Sequence, residues 1–114
     1  MKTVYFFTVD HEEKSGMAVI FKPLQGSSEI LVSVGRHVWS VAITDYWIGR
    51  DSVKVRWISK SADGIAERGD CLYNDDSEFS DEVVDNIFQH TIISACNAEG
   101  YSVDHPFTRE VLRC

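Results

Sequence analysis

The sequence predicts an α+β domain in which an antiparallel sheet of about five strands, within residues 3–59, is packed by one long helix at about residues 81–98. Residues 3–59 contain short runs of β-branched and aromatic residues, broken by glycine and polar turn residues, as is typical of antiparallel strands. The later segment instead repeats apolar residues at helical spacing. Strands followed by a helix favour a sheet with a helix across one face, and a small barrel-like sheet is the alternative.

Length and composition fit one domain with one core, because the chain has 114 residues, of which 44% are hydrophobic. The apolar run at the N-terminus is too short for a signal peptide, and no run approaches the roughly 20 apolar residues of a membrane span. The three cysteines form no CxxC pair and are expected to be free thiols in a reducing compartment. We therefore expect a soluble, cytoplasmic protein.

The first two strands are predicted at residues 3–9 and 17–21, with a charged turn at residues 10–16 between them. The first strand alternates two apolar sets, so both of its faces are expected to be covered.

The next three strands follow at short spacing. Residues 30–34 and 37–44 are predicted to form a hairpin around Gly35, because glycine supplies the positive φ that the turn needs. Residues 52–59 alternate cleanly between two faces, as a strand with one wet face does. Trp39 and Trp57 are at inward-facing positions and are expected in the core. The alternating sets are Val53, Val55 and Trp57 on one face and Lys54, Arg56 and Ile58 on the other.

Residues 45–51 are expected to form a loop or a hairpin connection. This segment contains Trp47 next to Tyr46 and close to Arg50. Exposed aromatic residues beside an arginine are typical of the residues that anchor protein–protein contacts. The alternative is that these aromatic residues fold back onto the sheet.

The helix has clear signals at both of its ends. Ser80 can cap it, and Asp81 and Glu82 follow in the first turn, where the helix dipole favours anions. Gly100 is predicted to end it. Residues 104–113 allow a second, short helix, because proline is tolerated in a first helical turn. The apolar stripe of the long helix consists of Val84, Ile87, Phe88, Thr91, Ile92 and Ala95.

The net charge of −7 is unevenly distributed along the chain. Residues 1–60 carry eight basic and six acidic side chains, whereas residues 61–114 carry three basic and twelve acidic ones. The first part is therefore at +2 and the second at −9. Residues 61–79 are polar and acidic without a convincing period, and are read as loop. A solvated loop with a helix cap is one interpretation of these charges.

The second interpretation is an acidic surface, with interleaved aromatic residues, that contacts a basic protein. A third interpretation is calcium binding, but the spacing and the central glycine of an EF-hand are missing. The residues predicted to bind a partner are Asp70, Tyr73, Asp75, Asp76, Glu78, Phe79, Asp81, Glu82, Asp85 and Trp47.

Catalytic and metal-binding motifs are missing from the sequence. None of the four histidines has another histidine or a cysteine at metal-ligand spacing on one element. There is no GxSxG elbow and no glycine-rich phosphate loop. A weak basic stripe of Arg50, Lys54 and Arg56 keeps a nucleic-acid role open, but the overall acidity argues against it and against an anionic membrane. We expect no enzyme activity and no cofactor.

Small size, acidity and the lack of a catalytic motif are typical of bacterial immunity proteins, which block a cognate toxin, often a nuclease. Phage-encoded inhibitors of host defence nucleases share this profile. The sequence therefore predicts an inhibitor that occludes the cationic site of a basic protein partner. One alternative is an adaptor that self-associates through an open strand edge. Another is a small enzyme or a small-molecule-binding domain that uses a pocket between the helix and the sheet.

Overall fold

A computed structural model describes residues 2–21, 28–48, 52–61, 66–74 and 81–112. The strands form one antiparallel sheet in the order β6-β5-β4-β3-β2-β1-β7. A meander of six strands is thus followed by the helix and by a last strand that returns to β1. The elements are β1 Lys2–Val9, β2 Lys14–Ile20, β3 Ser28–Val34, β4 His37–Ile48, β5 Ser52–Ser61, β6 Ala66–Asn74, α1 Asp81–Ala98 and β7 Val103–Leu112.

Helix α1 closes the open side of the curled sheet. It lies against β5, β6 and β7, which include both edge strands. The predicted α+β fold, an antiparallel sheet packed by one long helix, is thereby confirmed. One core fills the space between helix and sheet, and its largest fully buried side chains are Trp39, Trp57, Tyr5, Ile30, Ile43, Ile87 and Ile92.

Both tryptophans that were predicted in the core are there. Trp39 is 1% exposed and Trp57 is 2% exposed. Trp57 Nε1 donates a hydrogen bond of 2.9 Å to Ser94 Oγ on the helix, which satisfies a buried polar group. The predicted alternation of β5 is also confirmed, since Val53 and Val55 are buried while Lys54 is exposed.

The helix has the predicted bounds and the predicted stop. Gly100 has a φ of 90°, and the Tyr101 N–H donates to the Cys96 carbonyl over 2.9 Å, as in a left-handed C-terminal cap. The buried stripe differs from the prediction at both ends, because Val83 is fully buried, Val84 is half-buried and Cys96 is buried as well. The buried helix residues are Val83, Ile87, Phe88, Thr91, Ile92, Ala95 and Cys96.

The short final helix predicted for residues 104–113 is wrong, because this segment forms strand β7. Strand β1 pairs with β2 on one side, and β7 pairs with its other side. The Asp104 carboxylate accepts a hydrogen bond of 2.9 Å from the Glu12 N–H, so it fastens the β1–β2 turn instead of capping a helix. The β1–β7 register shifts between Phe6 and Thr8, opposite Pro106. Edge strands and bulges accept proline because it donates no ladder hydrogen bond.

Two further segments that were predicted as loop are strand. Residues 66–74 form the edge strand β6, where charged side chains are common because they discourage edge-to-edge pairing. Residues 45–48 continue β4 past a register shift between Ile43 and Asp45, and they pair with β5. Such a bulge reverses which residues face inward, so the alternation seen up to Thr44 could not be extended by pattern.

Gly16 is required by its contact with a packed aromatic ring. It lies opposite Phe7 in the β1–β2 register, and a Cβ at this position would overlap the Phe7 ring. That ring is stacked on Phe107, with centroids 5.1 Å apart, and so has little room to move.

We expect Gly16→Ala to lower the free energy of unfolding by about 2 kcal/mol through overpacking. Urea denaturation followed by tryptophan fluorescence measures this. The control is Ser15→Ala at the exposed neighbouring position, which should change stability little. Equal stability of Gly16→Ala and the control would contradict the close contact.

Candidate functional site

Strand β6 and helix α1 flank the acid-rich segment, and β6 ends at the same end of the sheet at which α1 begins. Strand β6 ends at Asn74, which pairs with Ser52 at the start of β5, and α1 begins at Asp81. We call this end of the molecule, where β4 and β6 end and α1 begins, the acidic end. Of the predicted partner-binding residues, those outside the described part of the chain are Asp75, Asp76, Glu78 and Phe79.

The other predicted acidic residues have defined positions along the backbone. Asp70 lies opposite Arg56 in the β5–β6 register, and Tyr73 lies opposite Val53. Asp81 is the first residue of α1. The Glu82 side chain, one residue later, is exposed.

Trp47 lies on the outer face of the sheet at the acidic end. It is 42% exposed and belongs to β4, where the sequence predicted a loop. The Lys54 Nζ and the Arg56 guanidinium lie 5.3 and 5.1 Å from its ring centroid, within the range of cation–π attraction. Trp47 pairs with Lys54, which pairs with Leu72 of β6, so the indole is two strands from the acidic edge strand, or roughly 10 Å.

Asp85 differs from the other acids because its carboxylate is engaged inside the fold. It accepts hydrogen bonds from the Tyr5 hydroxyl and from the Gln89 amide, the latter at 2.7 Å. Arg109 Nη1 lies 3.5 Å from Asp85 Oδ1. Burial, followed by the hydrogen bond to Asp85, raises the pKa of Tyr5 well above its usual value. Tyr5 therefore remains a neutral donor to the carboxylate.

These polar residues border a cleft of about 210 Å³ between α1 and the β1–β7 edge. Sequence reasoning missed Tyr5 and Arg109, because they are far from Asp85 in the chain and no local motif connects them. The lining residues are Thr3, Tyr5, Val84, Asp85, Phe88 and Arg109.

A second polar contact fixes the other end of the helix. His37 Nε2 lies 3.3 Å from Glu99 Oε2, just after α1. The His37 ring stacks on Trp39 with centroids 4.7 Å apart, and the Tyr101 ring lies against both, 6.2 Å from His37 and 6.0 Å from Trp39. The arrangement fastens the helix C-terminus to the start of β4.

The outer face of β1–β3 carries exposed apolar side chains, although such faces are usually polar. Phe6 pairs with Met17 across β1 and β2, and the two are 38% and 39% exposed. Leu31 and Phe21 continue this surface and border a groove of about 430 Å³ that Lys60 also lines. The prediction that both faces of β1 are covered therefore holds for Val4, which is buried, but not for Phe6.

Cys96 is buried in the described part of the chain. Burial raises the pKa of Cys96 to about 12, and a protonated thiol is a poor nucleophile. Within the described ranges, no group of three or more His, Cys, Asp or Glu could hold a metal ion. No helix in this part of the chain combines the length and the apolar character needed to cross a membrane.

Comparison with protein-family models, with curated proteins and with solved structures finds no significant match. Function must therefore be inferred from the residues of this chain.

The Tyr5–Asp85 contact predicts a specific pH dependence. We expect Tyr5→Phe to cost about 2 kcal/mol at pH 7, because it removes a hydrogen bond to a carboxylate. The folded state raises the pKa of Tyr5, so this stabilisation is complete below the unfolded pKa near 10 and is lost as pH rises above it. The stability gap between the two proteins should therefore narrow above pH 10, as measured by urea denaturation from pH 7 to 11.

Tyr46→Phe is the matched control at pH 7, since no hydrogen bond of the Tyr46 hydroxyl is found among the described residues. It should cost much less than Tyr5→Phe. A gap for Tyr5→Phe that stays constant up to pH 11 would show that Tyr5 is not held neutral by the fold.

The burial of Cys96 predicts its protection from alkylation. In a Cys71→Ser/Cys114→Ser variant, which leaves only Cys96, iodoacetamide at pH 8 should modify the folded protein at least about 100-fold more slowly than the urea-unfolded protein. Mass spectrometry over time measures this. Comparable rates in both states would contradict the burial of the thiol.

Proposed function

We propose that this chain is a small acidic protein that binds a basic protein partner and occludes its cationic site, as immunity proteins do with toxins that are often nucleases. The observation that supports the proposal is a juxtaposition at one end of the sheet. The edge strand β6 ends there, α1 begins there, and Trp47 lies exposed on the same end. The sequence between the two elements contains Asp75, Asp76 and Glu78.

Charge gives the contact its long-range component. Residues 61–114 have a net charge of −9, against +2 for residues 1–60, so the second part of the chain is strongly acidic. A basic partner is steered toward the acidic part during diffusion, and added salt reduces this steering because the Debye length is only about 10 Å at 0.1 M. Acidic side chains of this chain then occupy the cationic site of the partner, which would otherwise bind phosphates.

Trp47 supplies the short-range component of the contact. Large aromatic side chains with their rings held in place are typical hot spots of protein interfaces. Lys54 and Arg56 hold the indole by cation–π attraction. In the backbone register Arg56 lies between Asp45 and Asp70.

Asp85 is left out of the proposed contact because Tyr5, Gln89 and Arg109 already engage its carboxylate. The residues proposed to contact the partner are Asp70, Tyr73, Asp75, Asp76, Glu78, Phe79, Asp81, Glu82 and Trp47.

The proposal predicts how charge reversal changes association with the partner. The tagged chain is used to retrieve the partner from an extract of its source cells at low salt, and the partner is identified by mass spectrometry and purified. We expect a basic protein whose association rate falls about tenfold or more with Asp75→Lys/Asp76→Lys, and similarly between 50 and 300 mM NaCl. Biolayer interferometry measures both rates. Trp47→Ala should mainly speed dissociation.

Glu12→Lys/Glu13→Lys is the matched control. It makes the same change in charge at the exposed β1–β2 turn, at the opposite end of the sheet. An equal effect of both double variants would mean that only net charge matters, and an acidic partner would contradict the proposal outright.

The identity of the retrieved partner separates the forms of the proposal. A toxin indicates an immunity protein, and a defence nuclease indicates a phage-type inhibitor. A second copy of this chain would instead indicate the self-associating adaptor, which light scattering of the purified protein detects as a dimer mass.

A further inference from the structure

The cleft between α1 and the β1–β7 edge combines a guanidinium, a hydroxyl and an apolar wall. We propose that it binds a small monocarboxylate with a short apolar tail, and that Arg109 is the anion-binding residue. This inference does not depend on the proposed protein partner, because Arg109 and Asp85 are outside the proposed protein contact.

Arg109 uses little of its hydrogen-bonding capacity within the fold. It is 46% exposed, and its one contact with a carboxylate is the 3.5 Å approach of Nη1 to Asp85 Oδ1. That distance is at the limit of a hydrogen bond. A guanidinium carries five N–H donors, and the described part of the chain offers the others no further partner.

Asp85 does not need Arg109 in order to remain satisfied. It keeps the Tyr5 hydroxyl and the Gln89 amide as donors, and both are closer than the guanidinium. Arg109 is therefore the partner that can be exchanged. A ligand carboxylate can bind the Arg109 guanidinium in the bidentate geometry that makes Arg–carboxylate pairs strong, while Asp85 retains its hydrogen bonds from Tyr5 and Gln89.

The rest of the cleft determines what the anion carries. Val84 and Phe88 of α1 supply apolar surface, and the Thr3 side chain is a second polar group in the lining. The volume of about 210 Å³ equals roughly seven waters at ~30 Å³ each, so it fits a chain of about six to eight non-hydrogen atoms. The Asp85 carboxylate beside Arg109 disfavours a dianion such as a phosphate monoester.

The test is a titration of the ¹⁵N-labelled full chain with hexanoate, followed by amide chemical shifts. We expect saturable shifts at Thr3, Tyr5, Val84 and Phe88 below about 50 mM ligand, and no saturable shifts there with hexan-1-ol, which has the same tail without the charge. Methyl phosphate is the second comparison and should bind more weakly than hexanoate.

Two substitutions identify the residues responsible. Arg109→Gln should weaken hexanoate binding about tenfold or more, because the bidentate partner is lost. Arg36→Gln removes the same charge from the exposed β3–β4 turn and should leave binding unchanged. Asp85→Asn should strengthen binding several-fold, because the internal competitor for Arg109 loses its charge.

The outcomes that overturn the inference are equally specific. They are no saturable shift with hexanoate, equal binding of hexan-1-ol, an equal loss in Arg109→Gln and Arg36→Gln, or tighter binding of methyl phosphate. Far-UV circular dichroism confirms that each variant is folded, and the wild-type titration stands if one is not. Loss of protein-partner binding in Asp75→Lys/Asp76→Lys with hexanoate binding intact would show the two sites to be independent.

Discussion

The buried face of the sheet must be covered, and helix α1 covers it. The six-strand meander leaves apolar side chains from β1 to β5 on one face, and α1 reaches across the open side to β5, β6 and β7. Polar contacts fix the helix along its length, through Asp85 to Tyr5, through Ser94 to Trp57 and through Glu99 to His37. These contacts join the helix to particular residues of β1, β5 and β4, so they also determine how the helix is oriented on the sheet.

This orientation determines the surface that the molecule presents. The helix starts near the end of β6 and finishes beside His37 at the opposite end of the sheet. Its first turn therefore stays at the acidic end, with Glu82 in solvent, while Asp85 turns into the seam with β1 and β7. Acids three residues apart thus lie in different surroundings, Glu82 in solvent and Asp85 within the fold.

Local pattern was sufficient for the elements with one buried face. The alternation of β5 and the glycines at 35 and 100 each follow from a short stretch of sequence and are confirmed. The helix stripe is confirmed from Ile87 to Ala95, but Val83 is buried in place of Val84. The edge strands β6 and β7 could not be recognised from the sequence. They pair on one side only, and their many polar residues hide the apolar alternation of a strand. The Tyr5–Asp85 contact joins residues 80 apart in the chain, so only the folded arrangement reveals it. Trp47 was singled out by residue type, and its location in a strand could not be predicted because it follows a bulge.

The central claim is that the acidic end is the surface that meets a protein partner, and hydrogen–deuterium exchange of the free and the partner-bound chain tests it most directly. The account predicts that binding slows exchange in peptides covering residues 44–48 and 66–82 and leaves β1–β3 unchanged. Protection of the exposed apolar face around Phe6, Met17 and Leu31, with unchanged exchange at the acidic end, would contradict it and would assign the contact to the outer face of the sheet.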